Sequence, residues 1–450
     1  MLGCGNADDE AGSASIDGAV DDPVVDPVVD AVAEPPADDE TANDVADPPA
    51  DDETANDETA DDGADAAAGT DRDGSGTGTD AGTRGFDETE QPEPRSFTIA
   101  ASGDLLIHGG VRQQAADNAS DTSEEFDFRP MFDEVRPVLS DVDLAICHLE
   151  VPLSADNSTL SGYPMFSAPR ELAPAIADAG FDACSTASNH SMDQGSDGAT
   201  QTLDLLDEAG VRHAGMSRTE TEATTPNLAT VGDVEVAHLS YTYGLNGMPL
   251  PPDAPWMVDL IDEDRILADA ARARDAGAEF VIASMHWGVE YQQAPSAEQR
   301  QLAQALLADD AIDLILGHHA HVVQPIEVLD GRYAVYGLGN FLSNQSASCC
   351  RTETQDGVIV VIEVEEVDDG LEVSEVSYVP TWVDRGDFTI LDVGAALADA
   401  DLPGDRRETL EASWDRTVEA ITADGADEHG VAPRHVDAAR PDGPEMVATP

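Results

Sequence analysis

The sequence predicts an α/β domain over residues 96–395, and three observations predict it. Apolar runs of strand length alternate with amphipathic stretches of helical period from Ser96 onward. Several of those runs end in a short polar segment carrying Asp, Glu, Asn or His. The alternation is bounded by low-complexity sequence before residue 95 and by helix-prone, then Asp-, Pro- and Gly-rich sequence after about 395. Alternation of this kind lays helices over the faces of a sheet.

The elements follow in order. The first strand is read in "SFTIAASGD" (96–104), and further strands in 142–147, 181–186, 234–241, 278–285, 312–317, 333–338 and 357–365. Helices are read in 129–139, 170–179, 199–209, 263–276 and 296–308. In "DGVIVVIEVEEV" (356–367) and "LEVSEVSYVP" (371–380) strand follows strand with no helix between, which predicts an antiparallel portion late in the domain. Residues 396–450 read as an acidic, partly helical tail without chemistry.

Residues 1–95 cannot bury enough apolar surface to fold. "DPVVDPVV" (22–29) and the duplicated "PPADDETAND" (35–44 and 48–57) mark a disordered, charged, extended tether. At its start, Leu2-Gly3-Cys4 before a polar stretch resembles the end of a bacterial lipobox without the apolar stretch that precedes one. That predicts a lipid anchor at Cys4 on a chain whose start is truncated, with the folded body held outside the cytoplasm at the cell envelope. No apolar run of ~18 residues predicts a membrane span.

The formal net charge is −72, and all 21 basic residues are arginine. Residues 96–450 keep 64 acids against 18 arginines, a net of −46, so the acidity belongs to the body as well as the tether. Such a surface repels nucleic acid and anionic lipid, so both are poor partners, and no nucleic acid is expected. It suits a high-salt setting or a high-GC genome equally. Five cysteines are too few for a disulfide scaffold. Cys147 and Cys184, inside strands, read as small buried residues; Cys349-Cys350 reads as a vicinal disulfide or two free thiols.

The histidines carry the chemistry. Seven of eleven fall in five segments, each after an apolar strand. They are "ASGDLLIHGG" with Asp104 and His108, "DLAICHLEVP" with His148 and Glu150, and "DACSTASNHSMDQG" with Asn189, His190 and Asp193. "VIASMHWGVEY" brings His286 and Glu290, and "ILGHHAHV" brings His318, His319 and His321. A lone histidine after a strand is ordinarily a satisfied polar residue, but seven at strand ends point to one shared rim, where open α/β sheets bind ligands. His213, His238, His429 and His435 lack that context. Carboxylates, an amide and neutral imidazoles without thiolate suit Mn, Fe(II), Zn or Mg. The donors exceed the four that a tetrahedral zinc needs, which predicts two divalent ions about 3.5–4 Å apart sharing a carboxylate, an arrangement that hydrolyses phosphoesters.

In order along the chain, "SGD" (102–104), "HLE" (148–150), "SNHSMDQG" (188–195), "SYTYGLNGMPLP" (240–251), "HWGVEY" (286–291), "GHHAHV" (317–322) and "GLGNF" (337–341) resemble the bacterial CapA family. That family is associated with synthesis or export of poly-γ-glutamate capsule and is similar to calcineurin-like metallophosphoesterases. The resemblance implies a four-layer α/β/β/α sandwich around a metal site. It implies Asp104, Glu150 (in the bridging position), Asn189, His190, His286, His319 and His321 as ligands. His319 and His321 would face inward, with His318 turned the other way or toward substrate. His148, Glu290, His318 and Asn340 are expected to touch substrate or support the ligands. Three positions depart from the pattern: Leu106 stands two after Asp104 where the wider superfamily has histidine, with His108 four after; His148 replaces an asparagine; and Ser188 replaces the first asparagine of Asn-Asn-His.

Water activated by such ions attacks a phosphorus or acyl centre, with His190 or His108 protonating the leaving group. The expected function is hydrolysis of a phosphoester or related bond in the cell envelope, on a small-molecule or polymer substrate, in contact with capsule-synthesis machinery. The alternatives are a non-catalytic polymer-binding or assembly role, and cleavage of γ-glutamyl amide bonds. The negative body disfavours processive binding of free polyglutamate.

Overall fold

The computed structural model describes residues 94–368 and 370–434. The expectations placed on residues 1–93, Cys4 among them, and on 435–450 lie outside the described residues. In chain order the strands are β1 (Ser96–Leu106), β2 (Leu144–Leu149), β3 (Ala183–Ser185), β4 (Arg212–Ala214), β5 (Leu228–Val231), β6 (Val234–Thr242), β7 (Phe280–His286), β8 (Leu314–His318), β9 (Ile326–Leu329), β10 (Arg332–Val335), β11 (Asn340–Ser343), β12 (Asp356–Val367), β13 (Gly370–Val383), β14 (Ile390–Asp392) and β15 (Ala432–Pro433).

They form two sheets. The larger runs β14-β13-β12-β1-β2-β3-β4, with β11 also on β1 and β15 on β13; the smaller runs β5-β6-β7-β8-β10-β9. β1, β2, β3 and β4 are parallel, as are β6, β7, β8 and β10, while β12 and β13 pair antiparallel. The late antiparallel portion is therefore as expected.

The period-two alternation of each strand sorts its side chains between two cores. Phe97, Ile99, Leu144, Ile146, Val358 and Val360 of the large sheet meet Val236, Phe280, Ile282, Leu314 and Leu316 of the small one in a single inter-sheet core. Phe97 and Phe280 touch edge to face across it at 5.7 Å. Intervening residues such as Ala145, Cys147 and Val361 pack outward with Val111, Leu172, Ile176 and Leu206 of the covering helices. Ala237, Val281, Ala283 and Ile315 do the same on the other side with Ile266, Ala270 and Leu306. Helices, sheet, sheet, helices: this is the four-layer α/β/β/α sandwich.

The expected helices form at 172–179, 195–209, 263–275 and 297–307. The last begins at Ser296 because its hydroxyl accepts from the Gln299 N–H while Gln299 answers the Ser296 N–H, a capping box. The helix expected at 129–139 is two short pieces, Arg129–Phe132 and Arg136–Leu139. Pro130 and Pro137 each start a new turn and cannot continue an old one. The helix of the tail, Gly404–Thr422, packs on the sandwich: Leu410 contacts Trp382 and Val393, Ile421 enters the inter-sheet core, and Arg416 pairs with buried Asp356 at 2.7 Å.

One expectation about cysteine is corrected. Cys147 and Cys184 are bonded to each other, because they are direct register partners on the parallel strands β2 and β3, with Cα atoms 4.4 Å apart. Cys349 and Cys350 are half-buried, with the Cys350 thiol donating to Cys349 Sγ at 2.7 Å.

Candidate metal centre

Four strand ends face one another at one end of the inter-sheet gap. On β2, β7 and β8 the inward rows Leu144–Ile146, Phe280–Ile282 and Leu314–Leu316 continue to His148, His286 and His318. β1 arrives by a different route. Its inward row is odd-numbered through Ala101, but the register shifts between Ala101 and Asp104, which turns the even-numbered Asp104 to the same side. Gly103 permits this: a Cβ there would sit 1.9 Å from the Gly339 carbonyl, and Asp104 N–H donates to that carbonyl at 2.9 Å.

Loops deliver the rest. Glu150 follows β2, Asn189 and His190 follow β3, and Asn340 opens β11 beside Asp104. After His318 the chain leaves the strand, with φ of 87° at His319 and 56° at His321. Period-two alternation does not apply to a left-handed backbone. His318, His319 and His321 therefore all stand among the clustered groups, and of the two orientations expected of His318 the structure does not show the one turned away.

Three groups of donors lie within 4.8 Å of one another: Asp104, His148 and His318; Asp104, Glu150 and His321; Glu290, His319 and His321. Asp104 and His321 are shared, so the three make one continuous cluster. Asp104 Oδ2 accepts from His321 Nδ1 at 3.0 Å, and Asp104 Oδ1 lies 3.5 Å from His318 Nδ1. His321 Nε2 lies 3.9 Å from Glu150 Oε1. Asn340 Oδ1 stands 3.2 Å from His321 Nδ1, while its amide nitrogen is held by Gln345 and the Thr354 carbonyl.

The expected ligands Asn189, His190 and His286 stand beside these groups rather than in them. His286 Nε2 lies 3.0 Å from Asn189 Oδ1, and His286 Nδ1 lies 2.9 Å from His148 Nε2, so His286 links Asn189 to the cluster through His148. His190 Nδ1 is 2.8 Å from Asp193 Oδ2, which also accepts from the Phe166 N–H. The Phe166 ring meets the rings of His190 and His108 edge-on at 4.7 and 5.3 Å. His148, His318 and Glu290, expected to touch substrate or support the ligands, stand within these groups. Sequence reading left Asp193 without a role, although its spacing three after His190 on a turn was a signal. It missed Phe166, which no local pattern marks, and gave no role to Tyr243 and Tyr291, although both lie inside quoted motifs. The Cys147–Cys184 bond lies one residue before His148 and Ser185, whose side chains are 2.7 Å apart, so it ties a ligand strand to its neighbour.

Burial sets the electrostatics. Burial pushes Glu150 well above the usual carboxylate range, and Asp104, Glu290 and Asp193 add to that against His321. Burial works against ionised Asp104 too, yet His318 and His321 hold it well below its ordinary value. For His321 desolvation is outweighed by Glu150 and Asp104, and its pKa is pushed up to about 10. His319 is brought down to about 3 by burial and by His321. His148 and His286 are lowered by burial and by neighbouring imidazoles.

Asp104 Oδ1, both oxygens of Glu150, both ring nitrogens of His318 and His319 Nδ1 are buried without a hydrogen-bond partner. Leaving each so costs about 1–3 kcal/mol, more where charge is involved. Oxygen and imidazole donors converging without thiolate fit divalent cations, and a cation would answer the unpaired lone pairs.

Fold and cluster together define the class: a two-sheet sandwich with a carboxylate–imidazole cluster, compatible with divalent metal, at its rim. Residues 98–345 match the family described as bacterial capsule synthesis protein PGA_cap, and the chain belongs to that family. Every motif that carried the resemblance lies inside this stretch. Over 278 residues the chain is 27% identical to the capsule biosynthesis protein CapA of Bacillus anthracis, covering 60% of this chain and 64% of that protein. Over 291 residues it is 26% identical to the PGA biosynthesis protein CapA of Bacillus subtilis (strain 168), covering 61% and 70%. The chain thus spans less than two thirds of the length of the Bacillus anthracis relative. It is also similar to the solved calcineurin-like phosphoesterase YfkN from Bacillus subtilis, at 15% identity, 72% coverage of this chain, 97% of that chain and a TM-score of 0.37. Among the described residues no helix is long and apolar enough to cross a membrane.

Proposed function

We propose that the rim cluster holds two divalent cations and hydrolyses a phosphoester of the cell envelope in support of capsule-polymer synthesis. The observation that carries this reading is the set of buried, unpartnered donors on Asp104, Glu150, His318 and His319. Asp104, His148 and His318 would hold one cation and Glu290, His319 and His321 the other, with Glu150 donating between them. Mn, Fe, Zn and Mg all suit the donors. When bound, such ions acidify a coordinated water and neutralise charge on the phosphoryl group.

The remaining work falls to the chain. Asp193 takes one end of His190 at Nδ1, leaving Nε2 to deliver a proton to the leaving oxygen. Phe166 packs both His190 and His108 and keeps that side of the site apolar. An extracytoplasmic location is supported by the Cys147–Cys184 bond, since disulfides persist in oxidising compartments.

The test is reconstitution of the full chain with Mn²⁺, followed by elemental analysis and turnover of bis(p-nitrophenyl) phosphate and a γ-glutamyl peptide. Two metals per chain and phosphodiester turnover that a chelator abolishes are expected. Absence of metal defeats the reading. Turnover of the peptide alone replaces it with amide hydrolysis.

A further inference from the structure

Six large apolar side chains stand exposed among the described residues: Met165, Tyr243, Met248, Leu260, Val289 and Val367. Scattered singly, such residues carry no message. Four of these adjoin the cluster, Tyr243 by ring contact and the other three by their place in the chain. Tyr243 lays its ring 4.6 Å from that of His319. Met165 precedes Phe166, the residue packed on His190 and His108. Met248 lies two after Asn246, which accepts from the Asn189 amide, and Val289 precedes Glu290 of the ligand cluster.

The sequence around them is equally selective. A quarter of the chain is charged, yet 157–169 and 240–252 carry no charged residue, and these two runs hold Met165, Tyr243 and Met248. An intensely acidic protein has kept charge out of the loops that border its metal cluster.

We infer that the site takes a phosphoester whose alcohol part is a long alkyl or prenyl-like chain, held by this apolar collar while the cluster holds the phosphoryl group. The inference rests on the phosphoesterase reading above and names its substrate class. Polyglutamate is a poor occupant, because an anionic polymer meets the field of a body with a net charge of −46. A free sugar phosphate is also a poor one, since Met165, Met248 and Val289 offer its hydroxyls no hydrogen bonds. In the reaction water adds to phosphorus and the P–O bond to the alcohol breaks. The proton that water loses is balanced by one delivered to the alcohol oxygen, so the chain departs as an uncharged alcohol and phosphate stays at the cluster.

Calorimetry on the Mn²⁺-loaded full chain with inorganic, ethyl and octyl phosphate tests this. Full burial of one methylene is worth about fourfold in affinity. Octyl phosphate, partly buried in an open collar, is expected to bind more than about tenfold tighter than ethyl phosphate. The triple variant Met165→Ser/Met248→Ser/Val289→Ser should erase that difference while keeping Mn²⁺ and inorganic phosphate affinity, because none of the three belongs to the ligand cluster. Equal binding of ethyl and octyl phosphate overturns the collar and leaves the metal reading standing. Glucose 6-phosphate binding as tightly as octyl phosphate also overturns it, in favour of a sugar. Loss of inorganic phosphate binding altogether overturns both.

Discussion

Where β1, β2, β7 and β8 end, carboxylates and imidazoles are buried with atoms left unpaired; where β1 and β7 begin, the charges are half-open to solvent and paired. Arg95, just ahead of β1, reaches Glu366 in its own sheet and Glu279 at the foot of the other, each at 2.8 Å. Glu150, just past β2, is 1% exposed and has no hydrogen-bond partner for either oxygen; His321 Nε2 stands 3.9 Å from one of them. The same two sheets supply both ends, so the contrast is not forced by the fold. A folded chain tolerates unsatisfied buried polar groups in number chiefly where something other than stability is at stake. The base pairs its charges within the fold; the rim leaves buried donors that, on the reading proposed above, a cation would pair.

The sharpest way to break this comparison is to remove the unpaired group. Glu150→Gln is expected to lose most bound metal and the metal-induced rise in Tm. The metal-free Tm should not fall, because no native hydrogen bond is lost. His318→Ala should lose metal as severely as His321→Ala, since both face Asp104. Elemental analysis and thermal melts with and without Mn²⁺ read all three. A metal-free Glu150→Gln that melts several degrees lower would make the rim a structural feature like the base.

His238 sharpens the comparison from between the two ends. It lies in the inter-sheet space, Nε2 on the Ser284 hydroxyl and Nδ1 unpartnered, and burial, with His318 and Arg212 adding, depresses it to about 3 from an ordinary 6.5. Between those values the unfolded chain binds a proton that the folded one refuses. Its contribution is therefore fully present above 6.5 and lost as pH falls toward 3. At pH 5 the loss is on the order of 2 kcal/mol. His238→Gln should flatten the decline in stability between pH 6.5 and 5, measured by denaturant melts at each pH; an unchanged slope would assign that decline to the rim imidazoles.

How much of this was legible beforehand follows from range. Apolar runs and the polar residues that end them are local, so the strand ends and the cluster's residue types could be read directly. That His318 and its neighbour His319 share one side could not, because it turned on left-handed backbone at His319 and His321 that no apolar period reveals. The Cys147–Cys184 bond needed the register of β2 on β3, a fact about pairing across 37 residues. β3 and β4 are three residues each, too short to show a period. The split of 129–139 was readable in Pro130 and Pro137, and the helical period of the whole stretch outweighed it.

The smallest effect is expected at the base. Arg95 holds two carboxylates from two sheets and its guanidinium is pushed above its ordinary pKa, chiefly by the hydrogen bonds to Glu366 and Glu279, with burial opposing. On pairing alone it looks like a clasp. Yet its side chain is 34% exposed and those of its partners 38%, so water and salt compete for every one of these contacts. Exposed pairs contribute little after side-chain ordering, and at 0.15 M salt their attraction is screened within about 8 Å. The inter-sheet core that Phe97 and Phe280 fill lies directly behind and does not depend on the pair. Arg95→Met should therefore shift Tm by about 1 °C or less at physiological salt, slightly more at low salt, and leave metal content and the phosphate affinity of the rim unchanged. A fall of several degrees that persists in 1 M salt would show that the base, too, stores energy in its charges, and the asymmetry between the two ends would lose its meaning.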